Sequence, residues 1–480
     1  MTSIASKPYN NKLLYTFYAL MLWLPLPLGS NRDWAVALMT AWACGLLLWW
    51  LDDYRQGQRQ VPKHFHKCKP LLYGLLAFQA VLLLQITPLP EALVAIISPQ
   101  TASAYALLLP SSNWITLSVD ASVTAAHLLQ GLGFCAIAAL TLLLIDTRKH
   151  LKILAMCLLI SGLLQAAYGA FMTLSGIEYG FLIPKTTYFG NATGTFVNRN
   201  HYADYLTLCL AAGTGLLLAD LYTSRSGNWR ERGRRIINAL LGSKAKVRIS
   251  LAIMVIALVL SHSRMGNTAF FFSLAGCGFV WLILTKRMTR GAIFLLCSLI
   301  VIDMMIVGAW FGMEKVKERL KGSAFEKETR DEVIRDTLPI VGDYWLVGSG
   351  AGSYYGVFPS YRDGDINGYY DHAHNDYLEL SAEHGLLGMG ILGFIVFGSL
   401  WHSIQAMRLR KSNIYKGLAF APLMATTALI MHSLTDFNLQ IPANAATYIV
   451  LLAMGWLCRF LPNKDPKADC RASRSKISPT

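Results

Sequence analysis

Apolar runs of about 20 residues, each long enough to cross a bilayer as a helix, alternate along the chain with polar connections. Read with a window of about 19 residues, the runs fall near 13–30, 34–51, 70–86, 124–145, 151–175, 201–222, 247–263, 264–285, 290–313, 384–401, 416–434 and 441–461. This pattern predicts an all-α polytopic membrane protein of about twelve transmembrane helices. The pairs 13–30/34–51 and 247–263/264–285 are joined so tightly that each predicts a helical hairpin. Residues 1–313 hold the first nine spans, 314–375 one large loop, 376–462 the last three spans, and 463–480 a polar tail. Within the loop, the charged, proline-free stretch Glu314 to Asp336 predicts helix. Gly348 to Tyr370, rich in Gly, Tyr and Ser, predicts irregular chain.

Composition agrees with this pattern, since 54% of residues are hydrophobic, 15% are charged and mean hydropathy is +0.40. A disordered chain is excluded and an ordinary soluble enzyme disfavoured. The net charge of +15 raises nucleic-acid binding, but the placement of the charges removes it. Lys and Arg crowd into 52–69, 146–152, 223–248, 286–290, 402–416 and the two tails. In contrast, 87–123 and 435–440 have none, and 176–200 has only Lys185 and Arg199. Twelve spans put the basic loops on one side, which the positive-inside rule makes cytoplasmic together with both termini. The first segment, lacking a small-residue cleavage site, reads as an uncleaved anchor. The nine cysteines avoid the long external loops and form no CxxC, so neither a disulfide framework nor a thiolate metal site is expected.

Polar chemistry concentrates at four external positions. Asn198-Arg199-Asn200-His201 opens the sixth span, where an arginine beside hydrocarbon either snorkels or grips an anion. Ser261-His262-Ser263-Arg264 forms the turn of a hairpin and brings a second guanidinium to the basic-depleted side. Asp371-His372-Ala-His374-Asn375-Asp376 leads into the tenth span, with Asp376, Glu379 and Glu383 on one helical face near its N-terminus. His372, His374, Asp376 and Glu379 are all metal-ligand types, yet their spacing fits no zinc pattern. Thr435-Asp436-Phe437-Asn438 forms a short loop whose Asp436 either lines a cavity or caps a helix. Gly348-x-Gly350-x-Gly352 lacks the Lys-Ser/Thr of a phosphate loop and reads as plain flexible chain.

His374-Asn375, nine residues, then Gly385-x-x-Gly388 resembles the signature of bacterial O-antigen ligases. Thr193 to His201, Ser261-x-Ser-Arg264 and His432 to Asn444 also resemble members of the O-antigen ligase and polymerase superfamily. The resemblance implies a GT-C-like fold with a large periplasmic loop between spans nine and ten, in the bacterial inner membrane. It implies a metal-independent, inverting transfer of a glycan from an undecaprenyl diphosphate carrier, with no cofactor. The acceptor would be lipid A core, another carrier-linked glycan or a pilin, and polysaccharide-assembly proteins are possible partners. In this likeness Arg199 and Arg264 grip the diphosphate and His374 acts near the acceptor. Asn198, His201, His372 and Asn375 are expected around the substrates, and Asp376, Glu379 and Asp436 as orienting groups for His374 or for sugar hydroxyls. A flippase or transporter of the same lipid-linked glycans is the competing reading. Transporters, however, keep ionisable residues near the bilayer midplane, and here they cluster at its outer edge.

Overall fold

The structure, a computed structural model, describes residues 11–108, 112–220, 243–285, 301, 332–363 and 370–463. The helices are α1 (Lys12–Trp23), α2 (Asp33–Arg55), α3 (Phe65–Ile86), α4 (Glu91–Ile97), α5 (Pro99–Leu108), α6 (Ala121–Leu144), α7 (Arg148–Ser175) and α8 (Arg199–Asp220). They continue with α9 (Ser243–Leu260), α10 (Arg264–Thr285), α11 (332–343), α12 (Tyr354–Val357), α13 (Asp376–Leu409), α14 (Asn413–Leu418), α15 (Phe420–His432) and α16 (Pro442–Phe460). A two-residue antiparallel pair, Leu89–Pro90 with Trp114–Ile115, ties down the connection between α3 and α6.

Among the described residues nine helical stretches are long and apolar enough to cross a membrane: α2, α3, α6, α7, α8, α10, α13, α14 joined to α15, and α16. In hydrocarbon only a helix satisfies the backbone of such a segment within itself. All of the predicted span 290–313 except residue 301, most of the charged stretch 314–336, most of the basic loop 223–248 and the tail after 463 lie outside the described residues. The span predicted at 13–30 is shortened: α1 ends at Trp23, because Pro25 and Pro27 cannot continue it. The chain then folds back, so that Thr195 donates its hydroxyl to the Pro25 carbonyl (2.5 Å) and the segment after α1 buttresses the entrance to α8.

Helix α8 forms the axis of the bundle. Every residue from His201 to Ala219 is buried, with α7, α9, α14, α15 and α16 packed around it. Small residues allow this close approach, which drives helix association where lipid is as apolar as leucine: Gly213 meets Leu159 and Leu251, and Gly215 meets the Gly417 carbonyl. The outer helices instead expose Leu48, Leu76, Phe279, Phe397 and Trp401, as a lipid-facing surface would.

Helix α13 is broken at Gly385 (φ +58°, ψ −168°). The chain before α12 threads into the gap: Leu386 and Leu387 donate to the carbonyls of Trp345 (2.7 Å) and Leu346 (3.1 Å). In return, Ser349 and Gly350 donate to those of Ala382 (2.8 Å) and Glu383 (3.1 Å). Buried Gln85 fastens the crossing, its amide donating to Val347 (2.7 Å) and Glu383 (2.8 Å). At Gly348 (φ +78°) a Cβ would lie 2.1 Å from the Glu383 carbonyl oxygen. Gly350 and Gly352 lie similarly close to the side chains of Ser118 and His127, so these glycines serve tight packing, which corrects the reading of that stretch as plain flexible chain. The carboxylate of Glu383 accepts from the Tyr354 amide (3.2 Å) and so occupies the loop that superficially resembles a phosphate cradle.

Candidate active site

The segment carrying His374 is held from both sides. Asn375 caps α13, accepting from the amides of Tyr377 (3.0 Å) and Leu378 (3.2 Å), while its own amide donates to the Leu434 carbonyl (3.1 Å). Glu379 accepts from the His372 Nδ1 (2.6 Å) and the Ala373 amide (2.8 Å). Asp376 accepts from the Ser433 hydroxyl (2.6 Å) and the Leu439 amide (3.2 Å), locking the loop 433–441 onto the start of α13. Both acids are buried. His374 between these anchors adopts φ +50°, a conformation costing roughly 1–2 kcal/mol outside glycine, so its surroundings impose it.

Asp436 is the hub. Its Oδ1 lies 3.7 Å from His374 Nδ1 and 3.5 Å from His201 Nε2, and its Oδ2 accepts from the Asn200 side-chain amide. Phe437 packs between the imidazoles: the His372 ring stacks on it at 3.9 Å, and those of His201 and His374 meet it edge-on at 4.6 Å and 5.1 Å. Burial pushes the Asp436 carboxyl up, but the imidazoles of His201 and His374 outweigh that and hold it well below the ordinary carboxylate range. Burial likewise depresses His372, and the carboxylates of Glu379 and Asp371 overcome it, raising the imidazole to about 9.

A pH dependence follows. Because the folded state raises the His372 pKa, the ion pair with Glu379 contributes fully below about 6.5, the unfolded value. Its contribution is lost as pH rises through about 9. Thermal unfolding of wild type should therefore fall between pH 7 and 10 by more than that of His372→Gln. Parallel curves would dismiss the pair.

Arg199 and Arg264 stand at the first residues of α8 and α10. The Arg199 Nη1 donates to Asn191 Oδ1 (3.3 Å), and its guanidinium lies over the Tyr188 ring at 5.4 Å. His262 Nδ1 bonds the same Asn191 oxygen (2.9 Å), which brings the turn before Arg264 to the start of α8. Arg264 itself is exposed. Asn198 accepts from the Asn200 amide (2.8 Å) and shapes the entry to α8. Thus Asn200 joins the Arg199 turn to Asp436, Asp436 adjoins His374, and Asn191 joins Arg199 to the Arg264 hairpin. All three elements meet at one end of the bundle.

Glu379 faces His372, Asp376 faces Ser433, and His374 faces Asp436. Among the described residues no three His, Cys, Asp or Glu side chains gather as metal ligands. Sequence reasoning passed over Asn191, the amide that joins two motifs, because a lone asparagine in a polar loop carries no pattern. It also passed over the Phe437 ring, which only the fold surrounds with histidines.

Residues 249–393 match the family model described as O-antigen ligase. This stretch is similar to the O-antigen ligases. It runs from within α9 into α13 and contains Arg264, His372, His374, Asn375, Asp376 and Glu379. Asn198, Arg199, His201 and Asp436 lie outside it and reach it through the fold. No curated protein matches the chain. The O-antigen ligase match together with the long apolar helices marks the chain as a membrane protein.

Proposed function

We propose that the protein transfers a glycan from an undecaprenyl diphosphate carrier to an acceptor hydroxyl, with inversion at the anomeric carbon. It does so at the periplasmic face of the bacterial inner membrane, in a GT-C-like bundle of twelve spans with both termini cytoplasmic. The observation that carries this reading is Asp436, a buried carboxylate that contacts His374 on one side and, through Asn200, the turn bearing Arg199 on the other.

A lipid diphosphate is already a good leaving group. The protein has to hold it, meet its growing negative charge and aim a hydroxyl at the sugar. Arg199 and Arg264 supply permanent positive charge without a metal or a proton change. His374 takes the acceptor hydroxyl proton as the oxygen attacks the anomeric carbon from the face opposite the diphosphate. The bond from that carbon to the diphosphate oxygen breaks and its electron pair leaves with the carrier. Asp436 orients His374 and stabilises its charged form. Asp376, Glu379 and Asn375 act through the backbone that presents His374. His201, His372 and Asn198 border the substrates, and the acceptor is a growing glycan or lipid A core.

The test uses the full chain in liposomes with an undecaprenyl diphosphate-linked oligosaccharide and either acceptor. Transfer should persist in EDTA and give a product of inverted anomeric configuration by NMR. Retained configuration, or activity lost to EDTA and restored by a divalent ion, would refute the mechanism.

A further inference from the structure

Resting on the diphosphate assignment above, we propose that Asn191 is a positioning residue of the diphosphate grip, and that the site requires this bridge to be uncharged. Its side-chain orientation is fixed by the bonds it makes. The Nδ2 donates to the carbonyls of Tyr188 (3.2 Å) and Phe189 (2.9 Å), which turns Oδ1 toward Arg199 Nη1 (3.3 Å) and His262 Nδ1 (2.9 Å). The backbone repeats the tie, since the Ala192 amide donates to the Leu260 carbonyl (2.9 Å). His262, in the turn so joined, adopts φ +53°. One amide oxygen thus sets the spacing between the start of α8 and the hairpin that delivers Arg264.

The loop around Asn191 already contains an acid. Glu178 is committed to Lys185 Nζ (2.5 Å) and to the Gly190 amide (2.8 Å), and Lys185 also donates to the Asn191 carbonyl (2.8 Å). An aspartate of the same shape would accept from the guanidinium and the imidazole more strongly than an amide does, but it would set an acceptor oxygen against the Tyr188 and Phe189 carbonyls to which Nδ2 donates. A carboxylate there would also place negative charge beside the guanidinium and repel an incoming diphosphate. Asparagine gives the bridge without the charge.

Farnesyl diphosphate binding to the full-length protein in detergent decides the matter, with thermal unfolding measured alongside. Asn191→Ala should weaken binding several-fold through lost positioning. Asn191→Asp should weaken it more, by about tenfold or beyond, and lower the unfolding midpoint through the two Nδ2 bonds it loses, so the salt dependence and not the midpoint isolates the charge effect. The aspartate penalty should shrink in high salt, as a charge effect does, and be smaller for farnesyl monophosphate. Asn191→Asp binding as tightly as wild type, or better than Asn191→Ala, overturns the proposal. So does a penalty that salt leaves unchanged. If Arg264→Ala weakens binding and Asn191→Asp does not, the diphosphate grip stands and only the role of Asn191 falls. If wild type fails to bind farnesyl diphosphate, both fall together.

Discussion

His374→Ala should lower glycan transfer about a hundred- to ten-thousand-fold, the range expected for losing a general base, while the protein still folds and still binds carrier lipid. The imidazole is about one-fifth exposed and touches Asp436 and the rings of Phe437 and Tyr370. It caps no helix, and its main polar neighbour, Asp436, keeps His201 and Asn200, so its loss should fall chiefly on turnover. Steady-state kinetics in proteoliposomes check this: kcat collapses and KM for the donor changes little. A variant keeping more than a tenth of wild-type turnover would remove His374 from the chemistry.

Asp436→Asn should be nearly as damaging, by about a hundredfold or more in kcat, by analogy with the general role of a carboxylate that orients a catalytic imidazole. This substitution also affects the fold. Asp436 is fully buried, and its oxygens serve His201, His374, Asn200 and the Phe437 amide. An asparagine meets Asn200 with either an amide or an oxygen but cannot stabilise a charged imidazole. A stability loss of about 1–3 kcal/mol is expected from the weakened buried contacts, measurable by thermal unfolding in detergent. If Asp436→Asn retained full turnover, His374 would have to be oriented by something else.

Much of the fold can be read from hydropathy because hydrocarbon imposes one rule on every span, a long apolar helix. The runs at 34–51, 70–86 and 151–175 each fall within a single helix, 124–145 overruns α6 by one residue, and the described part of 201–222 lies in α8. The break in α13 escaped that reading, since Gly385 interrupts the backbone without interrupting the apolar run. Its cause is a chain segment some forty residues earlier, bonded to Leu386 and Leu387. The early end of α1 was legible in principle, in Pro25 and Pro27, but a hydropathy window averages over them. For the site, residue types could be read and their directions could not. Asp376, Glu379 and Glu383 share a face, as the spacing predicts, yet each is buried against a different loop. Nothing in the spacing distinguishes an acid that meets a sugar from one that holds a loop.

The central position of α8 also bears on how the protein matures. A helix sealed along its length by α14, α15 and α16 leaves the ribosome long before those neighbours exist. Until they arrive, Asp204 lacks His432, which lies 3.6 Å away at the end of α15. The carboxylate that completes the cluster, Asp436, comes from the same late stretch of chain. That stretch thus both covers one side of the axis and brings in the carboxylate beside His374.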